Sequence, residues 1–441
     1  MRVLTMMDST TGFAPIAPTR LEDMGLPTTL MQNLLLKAVF RMGLQTPSQM
    51  AEACAVSPPI IDSLITLSRE ENLFETLGNR GASASEEMRY QLTEAGRSRA
   101  LDALGQSEYY GAFPIPLSLF ESQSNKQSIK NAVITKEALE RATSHLVLPD
   151  GMLDKLGPAV NSGRAMLLYG PPGNGKSAIS DGICGALGDA IYVPAVVEAF
   201  GQIVGVYDPI VHERITEEES EGSSLRLRRD APHDPRFYKC KRPTVMTGGE
   251  LTLDMLDLNF NPISRTYQAP LQMKATGGVF IVDDLGRQRE SPQALMNRWI
   301  VPIEQRYDLL ALQSGQKFTV PFDTLVIFST NFAPKKLFDG AALRRIYYKI
   351  KIEGPSQRDF IEIFARVAKK YRVKPSEEVL AHMLTRLYPS PNGPFASFHA
   401  PFLIDQMMSI VEYEQRPREM TVDLVERAWA NLFVADEENT L

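Results

Sequence analysis

With 441 residues, 44% of them hydrophobic, the chain has room for two or three globular domains, each with a core of its own. A net charge of -6 excludes any global attraction to nucleic acid or anionic membrane, so such a role needs a local basic patch. The isolated cysteines Cys54, Cys184 and Cys240 form neither a disulfide framework nor a metal-binding pair, and no apolar run approaches ~20 residues. Prolines interrupt the opening residues where an export signal needs an apolar stretch, so a reducing cytoplasm is the expected location, without membrane insertion.

Residues 1–24, rich in Thr, Pro and Ala, read as a loosely held tail. "TTLMQNLLLKAVFRM" (28–42) has helical spacing, Gly43 stops it, and Thr46-Pro47 starts a second helix as N-cap and first helical residue. Ser57 caps a third, "SPPIIDSLITLSREENL", followed by the strand "FETL", a turn over 78–85 and the strand "RYQLT". Three helices and a hairpin over 25–107 resemble a winged helix-turn-helix domain. That stretch holds seven Lys or Arg against nine Asp or Glu, net -2, and its third helix offers few base-reading side chains. Protein docking is therefore preferred to DNA binding for this module.

Residues 108–135 read as a linker lying against a surface. Short apolar strands follow, "AMLLYG", "AIYVP", "GVFIVDD" and "LVIFSTN", as in a parallel sheet of an α/β domain over 136–354. "MLLYGPPGNGKSAIS" contains Gly170-Pro171-Pro172-Gly173-Asn174-Gly175-Lys176-Ser177 between a strand and a helix. Glycines let backbone N–H groups turn inward onto a triphosphate, Lys176 reaches its outer phosphates and the Ser177 hydroxyl ligates Mg²⁺, so ATP and Mg²⁺ are the expected cofactors. Between 195 and 277 the spacing predicts a large insertion. Within it "TEEESEGSSLRLRRDAPHDPR" reads as a mobile loop, and "RFYKCKRPTVMTGG" as a strand or hairpin with a small basic-aromatic cluster.

The run Val279–Val282 has the composition of a strand buried on both faces, and it ends on Asp283, where an acid holds Mg²⁺ beside the phosphate loop. Asp284 then stands where a base polarises the attacking water, with a turn or N-cap role as the alternative. "YDLLALQSGQKFTVPF" reads as a hairpin around Ser314-Gly315, and "DTLVIFSTN" as a second buried strand ending on Asn331. After Pro355 the periodicity becomes purely helical, predicting a helical lid over 355–441.

Phosphate loop, "VFIVDD", "FSTN" and the arginine pair in "FDGAALRRIYYKIKIEGP" ahead of a helical lid resemble an AAA+ ATPase, in the branch with a hairpin before the sensor strand. The resemblance covers about 136–436. It implies that Asn331 helps to position the attacking water and that Arg344 or Arg345 completes the ATP site of a neighbouring subunit. A homo-oligomeric ring, expected to be a hexamer, is implied with it. A solvated helix end is the alternative for the arginines. The family usually has Glu where this chain has Asp284; the shorter reach predicts slow hydrolysis. The lid carries "FHAPFLIDQ" where the family has an arginine, so no lid sensor is assigned and His399 is expected to be structural. The function that follows is ATP hydrolysis coupled to remodelling of a protein partner recruited by the N-terminal module. The alternatives are a DNA-associated ATPase or transcriptional regulator, and a nucleotide-held switch that scarcely turns over.

Overall fold

In Val279–Val282 every side chain is buried, yet Val279 and Ile281 join one hydrophobic cluster and Phe280 and Val282 another, because successive strand residues face opposite sides. Leu325–Thr330 divides in the same way, Leu325 and Ile327 against Val326 and Phe328. Such strands need a sheet covered on both faces. The computed structural model, which describes residues 13–78, 87–215, 233–388 and 395–432, has that sheet. Its strands, labelled in chain order, are β1 (Met166–Tyr169), β2 (Thr244–Thr247), β3 (Val279–Val282), β4 (Leu325–Thr330) and β5 (Tyr348–Lys351). All pairings are parallel, and the spatial order is β5-β1-β4-β3-β2.

Helices Met152–Asn161 and Lys176–Ala186 cover one face through Leu156, Ala159, Ile179 and Ile183. Pro292–Gln305 covers the other through Leu295, Met296 and Trp299, whose ring meets Phe280 edge-on at 5.0 Å. Four helices, Gln357–Lys370, Glu377–His382, His399–Tyr413 and Val422–Ala430, then surround a separate core. The expected α/β class, a parallel phosphate-loop sheet followed by a helical lid, is borne out.

The sheet corrects the sequence reading at one strand. Ala190–Pro194, expected second in the parallel sheet, pairs antiparallel with Phe237–Lys241, Ile191 opposite Cys240. The second position belongs to β2, in register with β3 at Val245 and Phe280. "RFYKCKRPTVMTGG" is therefore not a hairpin: its two strands enter different sheets, and β2 interrupts the expected insertion over 195–277. The basic-aromatic cluster is only partly at the surface: Lys241 is exposed and Tyr238 and Lys239 are half-buried. Phe237 and Arg242 are buried, and Arg242 grips Asp189 through two 2.6 Å hydrogen bonds.

A second, mixed sheet runs Asn259–Asn261, Thr266–Gln268, Gln202–Gly205, Val196–Ala199 and Ile115–Pro116. The hairpin Tyr307–Ala311 with Lys317–Pro321 packs Leu310 and Phe318 into its core. The expected linker thus supplies a strand, Ile115–Pro116, and a helix, Leu117–Lys126. The expected tail is tied down over 13–24: Pro15 O accepts from the Asp234 amide at 2.9 Å and Met24 is fully buried. Residues 1–12 lie outside the described residues, as do 216–232 of the expected mobile loop. The end of that loop is a buried ion pair, Asp234 with Arg236 at 2.7 Å.

The N-terminal module has helices Thr28–Met42, Pro47–Cys54 and Pro58–Glu70 and the hairpin Phe74–Gly78 with Arg89–Leu92. It adds a fourth helix, Glu94–Gln106, which packs along the first. The turn expected over 78–85 falls, beyond Gly78, outside the described residues. Thr46 and Gln49 form a capping box at the second helix. Ser57 stands at the N-cap of the third, but its hydroxyl donates to Pro18 O at 3.1 Å instead. Among the described residues no single helix is long and apolar enough to cross a membrane.

Candidate functional site

The C-terminal ends of β1, β3 and β4 meet at the start of helix Lys176–Ala186, and the chemistry-bearing residues gather there. The loop Gly170–Gly175 takes a path only glycine accepts at its tightest points. Gly170 has φ 148°, and a Cβ on it would lie 2.0 Å from Ile352 O. Gly173 has φ 74°, and its Cβ would strike the Phe398 ring at 2.1 Å. Gly175, also left-handed, is the N-cap of the helix. Pro171 and Pro172 are exposed on the rim; Asn174 is buried and accepts from the Ser397 amide at 3.2 Å.

Two chains of contacts cross the site. Ser177 Oγ donates to Asp283 Oδ2 at 2.6 Å, joining loop helix to strand end. Lys176 Nζ donates to Gly170 O at 3.0 Å, Pro171 O at 2.9 Å and Asn331 Oδ1 at 2.6 Å, and Asn331 Nδ2 donates to Asp284 Oδ1 at 3.0 Å. Lys176, Ser177, Asp283, Asp284 and Asn331 therefore converge. Burial pushes the Asp283 carboxyl up, but hydrogen bonds from Ser177 and the Asp284 amide, with Lys176 nearby, hold it below the usual carboxylate range. Burial pulls the Lys176 ammonium below the usual lysine range, against the opposing pull of Asp283 and Asp284. An alcohol oxygen beside an ionised carboxylate is a donor set that suits Mg²⁺, a hard cation that keeps most of its water and takes few protein oxygens. Backbone amides at a helix start beside a lysine suit a polyphosphate.

The arginines lie apart from this cluster, on the helix Gly340–Arg345. Arg345 Nε is 2.7 Å from Glu304 Oε1, and its Nη1 donates to Ala341 O at 3.0 Å. Arg344 is exposed and makes no ion pair among the described residues. The geometry thus separates two residues that were equivalent in the sequence.

Two participants were not singled out from sequence. Gln288 braces the acidic turn, bonded to Asp283 O and the Gly286 amide. Phe398 reaches from the lid to the phosphate loop, its amide donating to Gly173 O at 2.9 Å and its ring packed on Gly173. Only an aromatic next to His399 marked it, and that is too common a pattern to stand out.

His399 itself is buried behind Phe398, its Nδ1 2.7 Å from the Tyr388 hydroxyl, and burial lowers the imidazole to about 4. The unfolded chain, with the ordinary histidine value of about 6.5, takes up the proton first as pH falls. The stability that neutral His399 lends the lid is complete above about pH 6.5 and is lost as pH falls towards 4. Melting of the lid, followed by Trp429 fluorescence, should therefore move to lower temperature across this window, and His399→Phe should flatten the slope. An unchanged slope in the variant would assign the effect elsewhere.

A family model described as "Domain of unknown function (DUF8689)" matches residues 356–431, the lid. No curated protein matches the chain significantly. Among solved structures, NtrX from Brucella abortus aligns at 12% identity and a TM-score of 0.40, covering 68% of this chain and 58% of that one. This chain thus spans less than two thirds of NtrX. A point mutant of RuvB from Thermotoga maritima aligns at 13% identity and a TM-score of 0.36, covering 70% of this chain and 74% of that one. At such identities and TM-scores these likenesses bear on neither activity nor partner.

Proposed function

We propose that the chain is an AAA+ ATPase whose subunits form a ring, expected to be a hexamer, and couple ATP hydrolysis to remodelling of a protein partner. The observation that carries the nucleotide part is the 2.6 Å contact of Ser177 with Asp283 at the helix start, beside the run Lys176–Asn331–Asp284. In this reading the amides of Gly170–Gly175 and Lys176 hold the phosphates, and Ser177 and Asp283 hold Mg²⁺, which neutralises charge on the transferred phosphoryl group. Asp284, steadied by Asn331, takes the proton of the attacking water. Arg344 reaches the site of the neighbouring subunit, because Arg345 is already engaged by Glu304.

Docking rather than DNA reading is the role proposed for the N-terminal module. On the helix Pro58–Glu70 the exposed side chains include Asp62, Ser63, Thr66, Arg69 and Glu70. The hydroxyls of Ser63 and Thr66 donate to Pro59 O and Asp62 O within the helix, leaving Arg69 as its one cation. So little positive charge disfavours phosphate neutralisation.

Titration calorimetry tests the core of the reading. Wild-type chain with ATP and Mg²⁺ should give saturable heat, and Lys176→Ala should bind at least ~100-fold more weakly, a loss of about 2.8 kcal/mol at 1.4 kcal/mol per tenfold. Absence of heat with the wild-type chain would sink it.

A further inference from the structure

We propose that Gln288 is a positioning residue of the hydrolytic site, one that sets how far the short Asp284 carboxylate reaches. The inference rests on the ATPase reading above. Gln288 is half-buried beside the turn that follows β3. Its Nε2 donates to Gly248 O at 3.0 Å and Asp283 O at 3.1 Å, with a longer contact to Asp284 O at 3.5 Å. Its Oε1 accepts from the Gly286 amide at 2.9 Å. The amide orientation is forced: a backbone N–H only donates and carbonyls only accept, so a flipped side chain would set like against like at every contact. One side chain thereby ties together the residue after β2, the end of β3 and the turn itself.

The turn needs such bracing. Asp284 sits at φ 48°, in the left-handed region that costs a non-glycine residue energy and persists only where its surroundings enforce it. From the β4 side the enforcement comes from Ser329 O, which accepts the Leu285 amide at 2.7 Å, and from Thr330 Oγ1, which donates to Leu285 O at 2.7 Å. From the β2 side it comes from Gln288. In that conformation the Asp284 carboxylate meets Asn331, and through Asn331 it lies one residue from Lys176. An aspartate lacks the extra methylene of a glutamate, so backbone placement has to supply the reach. None of the Gln288 hydrogen bonds reaches Gly170–Ser177, and its bond to Asp283 goes to the backbone O, while the Asp283 carboxylate is held separately by Ser177, so the binding residues keep their own contacts without it.

The experiment uses the full chain and four proteins: wild type, Gln288→Ala, Asp284→Glu and the double variant. Each is measured for single-turnover ATP hydrolysis and for binding of an ATP analogue with a fluorescent ribose. Gln288→Ala should hydrolyse at least ~10-fold more slowly while its Kd stays within about threefold of wild type. The double variant, whose longer carboxylate restores the reach, should recover at least about threefold over Gln288→Ala. Should Gln288→Ala not fold, Gln288→Glu, which keeps the acceptor for Gly286 and loses the donor, gives the same reading. Unchanged hydrolysis overturns the proposal, and so does a parallel loss of hydrolysis and binding without rescue, which marks a merely structural brace. A wild-type chain that binds no nucleotide or turns none over would instead sink the ATPase reading, and this inference with it.

Discussion

Asp284→Asn is expected to retain ATP within about threefold of the wild-type affinity and to hydrolyse it at least ~100-fold more slowly, the scale of a lost general base. Asparagine is the informative replacement for three reasons. It keeps the oxygen that accepts from Asn331 Nδ2 at 3.0 Å, so the contact run from Lys176 survives. It tolerates the left-handed conformation at φ 48°, so the turn is not disturbed as it would be by alanine. And it cannot take a proton at any working pH. Asp283→Asn should behave differently, because Asp283 is the carboxylate bonded to Ser177 and held ionised: there the dependence of binding on Mg²⁺ should be lost. Turnover by rapid-quench assay beside equilibrium titration separates the two outcomes. If Asp284→Asn hydrolyses at the wild-type rate, its assignment as the base is wrong.

How much of this was legible in the sequence depends on what each segment's composition can encode. The strand, glycine-rich turn and helix around "GPPGNGKS" were legible as local structure, and β3 and β4 announced themselves as unbroken apolar runs ending in polar residues. β2 did not. Thr244–Thr247 alternates exposed and buried residues at the edge of the sheet, so it reads as an ordinary half-exposed strand. Ala190–Pro194, by contrast, is buried throughout and has the composition of a central parallel strand, but composition records burial and not the partner. Its partner, Phe237–Lys241, lies more than forty residues away, a pairing no local pattern carries. The same limit hid the anchoring of residues 13–24, whose contacts go to Ser57, Gln123 and Asp234. Arg344 and Arg345 were inseparable for a related reason: what distinguishes them is Glu304, on another helix.

Arg344→Ala should lower turnover of the assembled chain at least ~1000-fold, the lower end of what an arginine supplied in trans contributes to phosphoryl transfer, while nucleotide affinity changes little. Arg345→Ala should act on stability instead, because it removes the partner of half-exposed Glu304 and the bond to Ala341 O, with an effect within about 1 kcal/mol for so accessible a pair. Mixing separates an arginine that acts across a subunit boundary from one that acts within its own chain. A Lys176→Ala subunit has a dead site and an intact Arg344; an Arg344→Ala subunit has an intact site and no arginine to lend. Where the first abuts the second in a mixed ring, one complete site is assembled from two inactive chains. The mixture should therefore hydrolyse ATP at least several-fold faster than either variant alone, in proportion to the fraction of mixed contacts. If mixed oligomers form and the rate does not rise, Arg344 works only within its own subunit.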